Sequence, residues 1–224
     1  MRKAIVSGAN GFVGSAVVKE LISQGYEVYA LARENHYDQI PIGEMVRIVP
    51  FSLENIEALG EVIPINEYEA FYHFAWNGSA GVDRADTALQ LKNAQWTVEC
   101  LQLAKRLGCK RFVPAGSIME HETIAAVYTQ GNRPGAGYIY GSGKVAAHMM
   151  CMSMAVKEGI DLVWPKITNA YGPGERSPRL VNSTIRKCIA GEDPQFTAGT
   201  QNYDFVYIDD VARALRIIGE KGTQ

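Results

Sequence analysis

The run Gly8-Ala9-Asn10-Gly11-Phe12-Val13-Gly14 follows a short apolar stretch directly and opens a segment of helical period, and no other feature constrains the chain as strongly. Glycines at these positions allow a tight strand-to-helix turn, a close approach of backbone to a pyrophosphate, and tight packing of helix on strand. The helix N-terminus adds unpaired N–H groups aimed at the anion. Val13, Ala16, Val17 and Leu21 mark one face of that helix, and Gly25 supplies its stop. A βαβ unit therefore begins the chain.

The same alternation continues. Short runs rich in β-branched or aromatic residues predict strands over 4–6, 28–32, 46–49, 70–75, 111–115 and 162–164, and helical period predicts long helices over about 87–107 and 140–157. Strands alternating with helices predict an α/β fold, a doubly wound parallel sheet covered by helices. The expected organisation is a dinucleotide-binding domain over 1–165 and a small, partial substrate lobe over 166–224, interleaved with a last strand near 205–208 and a helix from Asp209.

Composition narrows the partners. A net charge of −2 gives no electrostatic reason to bind nucleic acid or an anionic membrane, and no apolar stretch reaches membrane-spanning length. Cys100, Cys109, Cys151 and Cys188 lack CxxC spacing and form no ligand motif with the histidines, so no metal site is expected and a reducing cytoplasm fits best. The N-terminal apolar stretch meets the glycine turn too soon for a signal peptide.

At the end of the second strand, where an acidic residue would hold the ribose hydroxyls of NAD, stand Ala32 and Arg33. Without the carboxylate nothing repels a 2′-phosphate, and the guanidinium could bind one, so NADP(H) is favoured over NAD(H). Further on, Tyr140 and Lys144 stand four residues apart on one helix face, and a cation beside a phenol favours the phenolate. Ser117 follows the fifth strand, at the sheet end where open α/β folds place their ligand crevice, with its hydroxyl available to a substrate oxygen.

The segments GANGFVG (8–14), YHFAW (72–76), KRFVPAGS (110–117), YGSGK (140–144), NAYGPG (169–174) and YDFVYIDDVARAL (203–215), with Asn93 between them, resemble the extended short-chain dehydrogenase/reductase family. That family is the NAD-dependent epimerase/dehydratase group acting on nucleotide sugars. The resemblance implies Tyr140 as acid/base, Lys144 as the cation that lowers its pKa and holds the nicotinamide ribose, and Ser117 as the group positioning the reacting oxygen. It implies cofactor contacts from Gly8, Asn10, Gly11, Phe12, Val13, Gly14, Arg33, Ser52, Leu53, Phe74, Ala75, Asn93 and Ile167. Substrate contacts would come from Asn169, Arg176, Arg179 and Tyr203, with a nucleotide-linked sugar as substrate. The Met-rich helix after Tyr140, paired with the helix from Thr87, would form the face of a homodimer.

Several positions depart from the family pattern. Ile118 and Met119 replace the acidic pair of dehydratases, so dehydration is disfavoured, although Glu120 and Glu122 lie close by. Ser52 replaces an adenine-contacting aspartate, and Tyr203 and Lys166 replace arginines. Losing the arginine at 203 weakens the case for a nucleotide diphosphate. Family members run on well past the position of Gln224, so the substrate lobe is expected to be truncated or short. The expected activity is that of an epimerase or 4-keto reductase. An NADPH-dependent reductase of a small non-sugar carbonyl compound and a non-catalytic dinucleotide sensor are the alternatives.

Overall fold

The six-residue strand β1 (Arg2–Ser7) buries its last four residues and delivers the chain to the glycine turn at its C-terminal end. In the computed structural model, which describes residues 1–222, helix α1 (Phe12–Ser23) follows, and Val17, Val18 and Leu21 on its inward face are fully buried. Each such aliphatic side chain contributes roughly 1.5–3 kcal/mol over its exposed state. Next come β2 (Tyr26–Ala32), β3 (Val46–Pro50), the single-turn α2 (Leu59–Val62) and β4 (Tyr68–His73). Then follow α3 (Thr87–Leu107), β5 (Cys109–Pro114), β6 (Gly116–Ser117), α4 (Met119–Tyr128), α5 (Ile139–Glu158) and β7 (Asp161–Leu162). The remaining elements are β8 (Lys166–Ile167), β9 (Asn169–Tyr171), α6 (Leu180–Ile189), β10 (Phe205–Tyr207) and α7 (Ile208–Lys221).

The main sheet has six strands in the order β3-β2-β1-β4-β5-β7, and every pairing in it is parallel. The expected doubly wound sheet is therefore present, with its order reversing between β1 and β4. Two apolar clusters cover its faces. One joins α3 and α5 to the sheet through Leu101, Leu103, Leu107, Cys151 and Ala155. The other joins α1 and α7 through Val17, Leu21, Val211 and Leu215. The last helix thus returns from the loop-rich tail to the sheet.

Gly143 allows α3 and α5 to approach closely, since a Cβ there would lie 3.0 Å from the Gln90 carbonyl oxygen. Of the α5 methionines only Met154 packs against the core. Met149, Met150 and Met152 are exposed, whereas Ala147, Cys151 and Ala155 face inward. Three helices were not anticipated: the single-turn α2, and the longer α4 and α6. In α4 the charged and imidazole side chains at 120–122 obscure the period, whereas α6 carries an apolar face, Leu180, Val181, Ile185, Cys188 and Ile189, although it buries none of its residues. The strand expected over 162–164 is reduced to two residues, Asp161–Leu162.

Candidate active site

At the end of β1, Gly8 takes a positive φ of 68°, and a Cβ there would stand 2.7 Å from the Ala75 nitrogen and 2.8 Å from the Phe74 carbonyl carbon. The turn is therefore pressed against the segment leaving β4. A Cβ on Gly14 would meet the Gly8 carbonyl oxygen 2.1 Å away, which locks α1 onto the turn. Gly11 caps α1 without any side-chain bond, so the N–H groups of Phe12, Val13 and Gly14 have no intrahelical acceptor and open toward the turn. Beyond β2 and β3 lies a cavity of about 380 Å³ lined by Arg33, Ser52, Phe51, Asn55 and Leu59 among others. A glycine cradle with free N–H donors, leading to a pocket at the ends of the next two strands, fits a dinucleotide.

On the other side of the strand-order reversal, Ser117, Tyr140 and Lys144 come together. The Ser117 side chain lies close enough to the Tyr140 phenol to favour its ionised form, its hydroxyl accepts the Met119 N–H at 3.2 Å, and the Lys144 ammonium donates to the Ala115 carbonyl at 2.8 Å. That ammonium lies 3.5 Å from the Trp76 ring centroid and 5.8 Å from that of Tyr140. Lys144 is only 4% exposed, and burial, partly offset by Glu120, brings its pKa down to about 7. Burial raises the Tyr140 phenol, while the Arg84 guanidinium, Ser117 and Arg179 pull it down. Arg84 lies 4.0 Å above the Tyr140 ring. The cation on the ring face is thus Arg84, a residue the sequence did not single out, and Lys144 stands further off. Behind the site, His73 is buried, bonded to Ser7 through Nδ1 at 2.8 Å, and held down to about 3 by burial and by Lys144.

A model of the NAD dependent epimerase/dehydratase family matches residues 4–224. The chain belongs to this family. Its curated relatives include UDP-glucuronic acid decarboxylase 1 of Xenopus tropicalis, 26% identical over 96% of this chain and 52% of that protein. CDP-abequose synthase of Salmonella muenchen is 27% identical over 98% of this chain and 71% of that protein. The chain spans about half the length of the decarboxylases it matches. Among solved structures, a UDP-N-acetylglucosamine 4-epimerase from Methanobrevibacter ruminantium M1, in complex with UDP-N-acetylmuramic acid, superimposes with a TM-score of 0.80 at 20% identity, covering 98% of this chain and 73% of that one. The Bordetella bronchiseptica enzyme WbmH, in complex with NAD+, gives 0.78 at 20% identity, covering 98% of this chain and 72% of that one. These likenesses establish the Rossmann-type epimerase fold. They give no support to setting dehydration aside on the strength of Ile118 and Met119, nor to a preference for NADP.

Several residues expected at the ligands also have partners within the protein. The Asn10 amide donates to Asp38 and accepts from the Gln39 N–H, so its side chain braces the 37–39 segment and only its backbone belongs to the turn. Arg176 is ion-paired to that same Asp38. Asn93 is buried, accepts from the Asn77 N–H and donates to the Asn77 and Leu89 carbonyls, so it holds the loop after β4 in place and keeps no free donor for a cofactor. The Leu53 side chain sits in the core, leaving only its main chain near the cavity, whereas Ser52 lines that cavity while capping the turn that follows.

Phe74 and Ala75 flank the turn, and Ile167 pairs with Ser117 across β6 and β8. Asn169 pairs with Phe205 across β9 and β10, with Tyr203 stacked on the Phe205 ring. Arg179 is exposed, with Glu175 at 3.9 Å, and its charge is felt at Tyr140. Among the described residues no cluster suited to a metal ion occurs, and no helix is long and apolar enough to cross a membrane. Sequence reasoning missed Trp76 and Gln90, joined at 2.8 Å through the indole nitrogen. No local pattern announces them.

Proposed function

We propose that this chain binds a nicotinamide dinucleotide across the ends of β1, β2 and β4 and acts on a nucleotide-linked sugar as an epimerase or 4-keto reductase. The observation that carries this reading is the convergence of Ser117, Tyr140 and Lys144 beside the glycine cradle, on the crevice where the strand order reverses. When bound, the dinucleotide supplies hydride exchange at a carbinol carbon. The Tyr140 oxygen takes the carbinol proton as the carbon is oxidised and returns it on reduction, and Ser117 holds the reacting oxygen against it. Arg84 on the ring face favours the phenolate at the moment of proton transfer. Lys144, bonded to Ala115 and set over Trp76, orders the nicotinamide-ribose side of the site. Arg33 beside the cavity favours NADP(H).

The nucleotide-sugar reading draws on the relatives' substrates, and on Arg179, whose charge is felt at Tyr140. The test is incubation with NAD(H) or NADP(H) and a panel of UDP- and CDP-linked sugars, followed by NMR. Wild-type protein should interconvert or reduce at least one of them, and Tyr140→Phe should lose about 10²–10⁴-fold in kcat with its melting temperature kept. Full turnover by Tyr140→Phe would overturn the assignment.

A further inference from the structure

Glu120 is 1% exposed. Burying a carboxylate is expensive unless every lone pair is matched, and this one is matched from three directions. Oε1 accepts the Ser117 backbone N–H at 2.7 Å and the Trp164 indole N–H at 3.0 Å. Oε2 accepts from His148 Nδ1 at 2.9 Å. Each partner belongs to the site's own framework. Ser117 is the hydroxyl neighbour that favours the ionised form of Tyr140. Trp164 stacks on the His148 ring, centroids 4.5 Å apart and planes 2° off parallel, and its indole nitrogen lies where a Cβ on Gly116 would be 2.5 Å away. His148 stands one turn beyond Lys144, which stands one turn beyond Tyr140, so the three share a face of α5.

We propose that Glu120 is a positioning residue of the Tyr140/Lys144 site, a buried carboxylate that fastens the Ser117 turn to α5 and supplies the negative charge facing Lys144. The proposal rests on the acid/base reading of Tyr140 given above. It also separates Glu120 from an acid/base role of its own, because both of its oxygens are already engaged inside the protein. The groups around Lys144 leave it little other anionic support. On its own helix it faces Tyr140 and Cys151, from β4 the neutral His73, and from the loop the Trp76 ring. Glu120 is the carboxylate that opposes the effect of burial on Lys144. At near-neutral pH that opposition sets how much of the lysine carries its charge.

Two substitutions divide the roles. Glu120→Gln keeps the shape and removes the charge, whereas Glu120→Asp keeps the charge and withdraws the oxygens from the Ser117 N–H by one methylene. Protein labelled with ¹³C at lysine Cε, with the resonance absent from Lys144→Met assigned to Lys144, reports the titration of that lysine without any turnover. In Glu120→Gln the Lys144 midpoint should move to lower pH, and the alkaline limb of kcat should move with it. In Glu120→Asp the midpoint should remain near the wild-type value while kcat falls roughly fivefold or more with KM held, as expected for loss of one buried hydrogen bond. An unchanged Lys144 midpoint in Glu120→Gln overturns the electrostatic role, and wild-type kcat in Glu120→Asp overturns the positioning role. Should Glu120→Gln not fold, Glu120→Asp still decides. If wild-type protein turned over no nucleotide sugar, the proposed function would fail, and the titration would still judge Glu120.

Discussion

Replacing Gly8 by alanine tests the dinucleotide cradle most directly, because a matched control exists in the same chain. Gly8 and Gly25 both have positive φ, 68° and 76°. A Cβ on Gly25 meets nothing within 4 Å, whereas one on Gly8 meets the Ala75 nitrogen at 2.7 Å and the Phe74 carbonyl carbon at 2.8 Å. Both alanines pay the left-handed backbone cost of about 1–2 kcal/mol. Only the one at Gly8 must also push apart two main-chain segments, which adds about 1–3 kcal/mol because backbone, unlike a flexible side-chain tip, cannot swing aside.

At about 2–4 °C per kcal/mol for a chain of this size, Gly25→Ala should lower the melting temperature by roughly 2–8 °C and Gly8→Ala by roughly 4–20 °C. The added displacement lies between the turn and the β4 exit, where the dinucleotide is proposed to pass. Gly8→Ala should therefore weaken binding of NAD(H) and NADP(H) as well, with Gly25→Ala leaving both unchanged. Differential scanning calorimetry and dinucleotide fluorescence titration measure the two effects. Equal melting temperatures and equal affinities in the two variants would refute the reasoning.

The other predictions concern charge and association. Lys144 sits at about 7, below the ordinary lysine value of 10.5. Between those values the unfolded chain binds a proton that the folded chain has released, so the stability penalty is full below the window and lifts as pH rises through it. Lys144→Met removes that dependence, and its stability advantage over wild type in urea unfolding should shrink by about 1–4 kcal/mol as pH rises across the window. A constant difference would contradict the burial argument. Arg33→Ala should loosen NADP(H) roughly tenfold while leaving NAD(H) unaffected, since only a 2′-phosphate gains from the guanidinium. Equal loss for both dinucleotides would remove the NADP assignment. The exposed Met149, Met150 and Met152 on α5, with exposed Leu91 on α3, form the proposed self-association face. Light scattering should give a dimer that Met150→Glu dissociates, and a wild-type monomer at about micromolar concentration would end that proposal.

What the sequence determined by itself is what is local. The glycine spacing at 8–14 fixes a turn because φ and steric room belong to single residues. The helical period predicted α3 over the same residues it occupies, Thr87–Leu107, because one face must be apolar wherever it packs. Tyr140 and Lys144 share a face by spacing alone. Only the tertiary structure decided what meets those residues. Arg84 arrives at the Tyr140 ring from a 3-10 turn after β4, and Glu120 meets Ser117 of β6, His148 of α5 and Trp164 after β7, which lie far apart in sequence. The partners that Asn10, Asn93 and Arg176 have within the protein are set for the same reason. A polar side chain's partner is set by which distant segments the fold brings within about 3 Å, and neither period nor spacing carries that information.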